Sequence, residues 1–315
     1  TSFQLAPLDG STLKLETVAT FDSELKDTTP SDLIAAAFSG EDVDDIALID
    51  TAKSRVIEIF QPAAGQKWES AMYFRVFETD PHFRGKTGLE NEPHDYAAMD
   101  LNGDGRLDSV VALGNQAGVL VAYGDGGGSF GSPKTYQAGR DNSDVAVADF
   151  NKDGKPDIVV VGGNLQSNGS VNLLFGTPTG EFSLSPRDLN AGLTPSTVVA
   201  ADVNNDSNSD LIVGNFRSNN VSISLGDGKG NFASAINIQV GLSPSAIAPG
   251  DFNNDGKLDL IVANYGGSTL SLLLGNGAGG FSASSVNVAK APVSLIAEDL
   301  NRDGSLDLAV ICRDE

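Results

Sequence analysis

Hydrophobic and polar positions along this chain alternate in short bursts, and the bursts recur. Within residues 243–290, SPSAIAPGDF alternates small apolar with polar residues, KLDLIVANY is a β-branched run, STLSLLLGNG is a third run, and FSASSVNVAK alternates again. Runs this short, bounded by glycine-rich turns and lacking a 3.6-residue period, predict four strands and no helix in a unit of about fifty residues. Other segments read the same way: VNLLFG and VSISLG match LSLLLG as third strands. Phe130, Phe182, Phe232 and Phe281 each follow the third turn, where a large ring is expected to wedge between neighbouring units.

Between the first and second runs stands an acidic string. It reads DLNGDGRLD from Asp100, DFNKDGKPD from Asp149, DVNNDSNSD from Asp202, DFNNDGKLD from Asp251 and DLNRDGSLD from Asp299. A worn copy, AFSGEDVDD, runs from Ala37 to Asp45. The strings end at 45, 108, 157, 210, 259 and 307, so they lie 63, 49, 53, 49 and 48 residues apart. A near-constant period of this length marks repeated supersecondary units. Proline stands seven residues before the string at Pro30, Pro93, Pro195, Pro244 and Pro292, with Asn142 in the remaining copy. The worn copy keeps this offset and is therefore a true repeat.

A four-stranded unit repeated radially is a propeller blade. The small residues of the first runs (AAAF, YAAMD, VAVADF, VVAADV) suit a crowded innermost strand. The sixth copy stops after two runs, while SFQLAPLDGSTLKLETVATF at the N-terminus has no acidic string and can supply the missing third and fourth strands. The expectation is an all-β fold with one β-propeller domain over 1–315. Its six blades would span about 30–80, 93–139, 142–192, 194–241, 243–290, and 292–315 with 1–25. Seven blades, the alternative, would need roughly another repeat of chain.

Composition sharpens the picture. With 315 residues, 40% of them hydrophobic, the chain can bury a large core, and no apolar run is long enough to insert in a membrane. It starts at Thr1 without methionine or an apolar leader, as a processed protein or an excised segment would. Cys312 is the only cysteine, so no internal disulfide can form, and it reads as a small buried residue. Taking the fifteen aspartates of the five intact strings from the net charge of −22 leaves −7. Most of the acidity thus sits in the strings, and such a chain repels nucleic-acid phosphates and anionic membranes.

The string D-x-N-x-D-G-x-x-D between two β runs, recurring about every fifty residues, resembles the FG-GAP or VCBS repeat. Similar blades form the head of integrin α subunits, several lectins and many bacterial surface proteins. The resemblance covers nearly the whole chain, most closely from residue 93 onward. It implies a β-propeller with calcium in the blade loops and leaves the ligand open.

The loop chemistry agrees with that expectation. Calcium takes six to eight oxygen ligands. In the loop of Asp251, side-chain oxygens come from Asp251, Asn253 and Asp255; the carbonyl of Lys257 points inward, and Asp259 closes the set. The equivalent sets are Asp100, Asn102, Asp104, Arg106 and Asp108; Asp149, Asn151, Asp153, Lys155 and Asp157; Asp202, Asn204, Asp206, Asn208 and Asp210; and Asp299, Asn301, Asp303, Ser305 and Asp307. Ser207 replaces glycine at the turn of one loop, which predicts weaker binding there. The worn loop, with Ala37, Ser39, Glu41, Asp42 and Asp45, has lost a ligand and is expected to hold no ion. Acidic turns capped by Asx hydrogen bonds would also explain one such loop. Five copies favour metal, because unpaired carboxylates repel. Magnesium fits less well, since it prefers octahedral, water-rich sites. About five structural calcium ions follow, one per intact loop.

Two motifs are discounted. Gly127 to Gly131 matches G-x-S-x-G, and Gly275, Gly277 and Gly280 match G-x-G-x-x-G, but no helix follows either, as both chemistries require. The long first interval contains ETDPHFRGKTGLENEPHDY, residues 78–96, with His82, Arg84 and His94 as candidate ligand-binding residues. A longer crossover between the first two blades is the simpler reading of this segment, because polar loops are common. No catalytic constellation emerges. The leading expectation is a non-enzymatic, calcium-stabilised, extracellular or cell-surface module that binds a glycan or protein through blade-face loops. Weak extracellular calcium sites, with Kd on the order of 10⁻⁴ to 10⁻³ M, motivate that location. The alternatives are a structural segment of a larger surface protein or assembly, and a polysaccharide lyase or hydrolase using His82, His94 or Arg84.

Overall fold

The apolar runs become strands where the sequence places them, and antiparallel pairing joins them into sheets. The computed structural model describes residues 93–114, 118–124, 131–139, 141–163, 168–185, 189–288, 290–299 and 305–313, with side chains from Ala97 onward. Before residue 93 it describes the strands 2–9, 12–13, 16–19, 30–36, 45–50, 55–60 and 69–74. The segment 78–92 with His82 and Arg84, the loop 37–44, and the His94 side chain lie outside the described residues.

The fourth sheet is typical: Pro195–Ala201, Asp210–Asn215, Asn220–Ser224 and Ile236–Gln239 lie side by side in chain order. Its register pairs Ile212 with Val199 on one side and Ile223 on the other. The fifth sheet repeats this with Pro244–Gly250, Asp259–Asn264, Thr269–Gly275 and Phe281–Asn287. The first sheet holds Pro30–Ala36, Asp45–Asp50, Arg55–Phe60 and Glu69–Phe74. The second holds Pro93–Met99, Asp108–Leu113, Val119–Ala122 and Lys134–Tyr136. In the third, Asn142–Ala148, Asp157–Gly162 and Asn168–Gly176 are followed by a divided outer strand, Phe182–Leu184 and Leu189–Leu193.

The last sheet joins the two ends of the chain. Pro292–Glu298 pairs with Asp307–Cys312, which pairs antiparallel with Ser2–Asp9 from Ser2↔Cys312 to Pro7↔Asp307. Thr12–Leu13 and Glu16–Ala19 then pair with Ser2–Asp9. The N-terminal residues thus supply outer strands to the final repeat.

The first strands pack against one another in the succession 93–99, 142–148, 195–201, 244–250, 292–298 and 30–36. They form the innermost layer of a β-propeller of four-stranded blades. Ser143, Ser196 and Ser245 each donate Oγ–H to a carbonyl at the start of the next blade, those of Pro195, Pro244 and Pro292, at 2.6, 2.6 and 2.8 Å. Five second strands are buried along their whole length. Both faces are covered by neighbouring sheets, so they read as continuous apolar runs. Each fully buried Ile or Leu there, such as Ile212 or Leu260, contributes about 1.5–3 kcal/mol of transfer free energy. The core is accordingly a series of clusters between blades. Three of the expected wedges sit in them: Phe182 meets Tyr136 edge-on at 5.4 Å, Phe232 meets Phe150 at 5.7 Å, and Phe281 packs on the Val203 and Ile212 cluster, while Phe130 lies outside the described residues.

Candidate metal centres

All the fully described acidic strings connect a first strand to a second, so they gather at one end of the sheets. Local chemistry folds each one alike. In the loop of Asp251, Asp251 Oδ1 accepts the Asp255 N–H at 3.0 Å and Oδ2 accepts the Gly256 N–H at 2.8 Å. Asn253 Oδ1 also accepts the Asp255 N–H, at 2.9 Å, and Asp255 Oδ1 accepts the Lys257 N–H at 3.0 Å. The same pattern links Asp149, Asn151, Asp153 and Lys155. It recurs through Asp100, Asn102, Asp104 and Arg106 and through Asp202, Asn204, Asp206 and Asn208. The turn needs left-handed backbone, supplied by Gly105, Gly154 and Gly256 at φ of 81°, 79° and 78° and by Ser207 at 64°. Ser207 adopts the same turn despite its side chain, at the steric cost an L-residue carries there. In the last loop, Asp299, Ser305 and Asp307 are described, while Asn301 and Asp303 fall outside the described residues.

The ninth residue of the string behaves differently from the rest. Asp108, Asp157, Asp210 and Asp259 are fully buried, and Asp307 is 6% exposed. In each of the first four, Oδ2 accepts the N–H of the string's second residue: Leu101 at 2.8 Å, Phe150 at 3.0 Å, Val203 at 2.9 Å and Phe252 at 3.1 Å. Oδ1 accepts the N–H of a glycine near the end of the third strand: Gly124 at 2.9 Å, Gly176 at 2.9 Å, Gly226 at 2.8 Å and Gly275 at 2.7 Å. Glycine is required for that approach: a Cβ on Gly176, Gly226 or Gly275 would lie 2.1–2.3 Å from a backbone carbonyl oxygen. The sequence shows an apolar second position in every intact string and a glycine after each third run of these four blades, but nothing in the spacing ties them to the ninth residue.

The electrostatics divide along the same line. Burial raises the Asp108, Asp210 and Asp259 carboxyls above the usual range, and their two N–H bonds only partly offset it. Burial pushes Asp157 up to about 6, with Asp153 and Asp149 adding repulsion. Asp100, slightly raised by burial, is held below the usual range by the N–H groups of Gly105, Gly103 and Asp104. The N–H of Asn208 lowers Asp206. For Asp255, a small burial effect is outweighed by Lys257, which pairs with it at 3.2 Å.

Asx hydrogen bonds account for the shape of the loops, but not for a charge held beneath them. Four buried carboxylates are bonded by neutral backbone N–H groups, and the described ion pairs, Lys134–Glu181 and Lys257–Asp255, leave them without a cationic partner. An ionised group so placed is costly unless a positive charge comes close. The donor set suits a hard cation, because every candidate ligand atom is oxygen and each oxygen of the four buried carboxylates accepts a single N–H, which leaves lone-pair capacity. Among the described residues, no three His, Cys, Asp or Glu side chains gather into a metal cluster by themselves. Asparagine and carbonyl oxygens would have to complete each set.

Comparison with known proteins agrees with this architecture. The model of the FG-GAP-like repeat matches residues 100–160, 202–262 and 251–310, each match spanning two consecutive acidic strings and ending in the second strand of the later blade. Phosphatidylinositol-glycan-specific phospholipase D of Rattus norvegicus is 35% identical over 148 residues, covering 37% of this chain and 17% of that protein. The Homo sapiens enzyme is 42% identical over 88 residues, covering 24% and 10%. The chain therefore spans less than a fifth of the length of these curated relatives. Among solved structures, an Agrocybe aegerita lectin specific for non-reducing terminal N-acetylglucosamine superimposes with a TM-score of 0.51 at 17% identity, covering 98% of this chain and 83% of the lectin. BBS1N, solved in complex with ARL6DN, gives 0.52 at 11% identity, covering 90% and 76%. At such identities the structural likeness concerns the fold.

Proposed function

The chain belongs to the FG-GAP-like repeat family, and from that premise we propose that it is a calcium-stabilised, non-enzymatic binding module acting outside the cell. The observation that carries this reading is the recurrence of a buried carboxylate, without a cationic partner among the described residues, beneath an oxygen-lined loop. Asp100, Asn102, Asp104, the Arg106 carbonyl and Asp108 would hold one calcium ion, and the equivalent residues of the loops from Asp149, Asp202, Asp251 and Asp299 would hold the others. When bound, calcium supplies positive charge to each loop and favours the folded state. The chain's own part is to pre-form the loop through the N–H groups that Asp100, Asp149, Asp202 and Asp251 accept. Six blades, the last completed by the N-terminal strands, fit the strand pairing. Millimolar extracellular calcium would fill such sites.

The ligand, a glycan or a protein, belongs on the end of the blades away from the acidic loops. There Leu193 and Leu242 are 46% and 56% exposed. The Phe216 and Tyr265 rings, 6.2 Å apart and tilted by 38°, belong to the same end, just after the second strands of their blades. Backbone bonds from Phe216 to Thr194 and from Tyr265 to Ser243 fix their bases. The test is a screen of glycans, including oligosaccharides ending in N-acetylglucosamine, and of extracellular proteins, with calcium and with chelator. The reading expects saturable binding in calcium that Phe216→Ala and Tyr265→Ala weaken without lowering the melting temperature. Turnover of a phospholipid or polysaccharide by the isolated chain would overturn it. The short share of the phospholipase D relatives that this chain covers favours one further reading, an accessory propeller within a larger protein.

A further inference from the structure

In the strings from Asp149 and Asp202 the second residue faces two ways. Phe150 gives its N–H to the buried Asp157 of its own blade at 3.0 Å, and its carbonyl accepts the Gly230 N–H of the next blade at 3.0 Å. Its ring meets Phe232, also of the next blade, at 5.7 Å. One blade further on, Val203 gives its N–H to Asp210 at 2.9 Å and accepts the Gly279 N–H at 3.3 Å. The glycine turns that reach across sit between consecutive acidic loops. A Cβ on Gly228 would meet Asn208 of its own loop at 2.4 Å and Lys152 of the preceding loop at 3.2 Å. A Cβ on Gly277 would meet Asn205 of the preceding loop at 3.1 Å and Lys257 of its own at 3.2 Å. At Gly230 it would fall 2.5 Å from the Phe175 ring of the preceding blade. These turns therefore touch both loops at once.

We propose that the Asp149 and Asp202 loops are couplers between blades, so that a cation in either loop stiffens the joint to the following blade as well as the hairpin it caps. This rests on the calcium reading above. A filled loop restrains the second residue, whose N–H and carbonyl are one peptide unit apart on the same short segment. The restraint passes to the Gly230 or Gly279 turn through the carbonyl, and at the first joint also through the Phe150–Phe232 contact.

The test is amide hydrogen exchange on the full chain, in chelator and in calcium, beside calorimetry on the same samples. In the wild type, calcium should slow exchange at Gly230 and Gly279 about tenfold or more, as well as within the loops. Asp153→Ala removes an exposed candidate ligand from the Asp149 loop and leaves the Asp202 loop intact. In that variant calcium should still protect Gly279 but no longer Gly230, and Asp206→Ala should reverse the pattern. Calorimetric binding with protection confined to the loops would overturn the coupling while leaving the calcium reading standing. Equal loss at both glycines in either variant would also overturn it, by showing a global effect. Absence of calcium heat would overturn both readings.

Discussion

Replacing Asp157 with asparagine separates the hydrogen-bonding role of the buried carboxylate from its charge. Asp157 is fully buried and its carboxyl is pushed from the ordinary 3.8 up to about 6, a gap worth about 3 kcal/mol. The folded state binds the proton more tightly than the unfolded chain, so without calcium this penalty is absent below pH about 4. It grows between pH about 4 and about 6 and is complete above that. Asparagine removes the penalty. It also gives up one of the two N–H bonds, from Phe150 at 3.0 Å or Gly176 at 2.9 Å, at a cost of about 1.5–3 kcal/mol. In chelator at pH 7 the two effects nearly cancel, leaving a net change within about 1–2 kcal/mol. At calcium about 100-fold above Kd, a filled site adds about 2.7 kcal/mol to the wild type, and the variant forfeits most of it. Urea unfolding followed by circular dichroism, in chelator and in calcium, measures both differences. The destabilisation caused by Asp157→Asn should grow by about 2–3 kcal/mol when calcium is added. In chelator, the variant should lose less stability than wild type between pH about 4 and 6. Equal destabilisation with and without calcium would refute the reasoning, because Asp157 would then be a hydrogen-bond clamp indifferent to any cation.

Three other substitutions test local statements. Ser207→Gly relaxes a left-handed serine at φ 64° and should raise stability by about 0.5–1 kcal/mol in urea unfolding, with tighter calcium binding at that loop. Gly176→Ala would place a Cβ 2.3 Å from the Pro156 carbonyl oxygen and push the Gly176 N–H away from Asp157. A loss of at least about 2 kcal/mol is expected, read as a lower urea midpoint at unchanged slope. Ser196→Ala removes the 2.6 Å bond to the Pro244 carbonyl between neighbouring innermost strands and should cost about 1 kcal/mol.

Much of this architecture is legible in the sequence because the repeat shows each device several times over. Alternating and β-branched runs fix the strands, and the truncated sixth repeat points to the pairing of Ser2–Asp9 with Asp307–Cys312. The rings of Phe182, Phe232 and Phe281 fill the joints between blades as their position after the third turn suggests. The divided outer strand of the third sheet is harder to foresee, since both pieces pair with the same third strand, a choice that local pattern does not fix. The ninth aspartate reads from sequence as one more loop ligand. Its burial, and its grip on the second residue and on a glycine sixteen to nineteen positions away, depend on tertiary approach that spacing does not encode. Equally hidden is the reach of Phe150 and Val203 into the next blade, because the partners Gly230 and Gly279 are about eighty residues further along the chain.

The most direct measurement is a calorimetric calcium titration of chelator-stripped protein, with melting followed in parallel. The account predicts about five sites and a rise in melting temperature that grows as calcium exceeds Kd. No binding heat and an unchanged melting temperature would contradict it, leaving the strings as hydrogen-bonded turns over buried carboxylates.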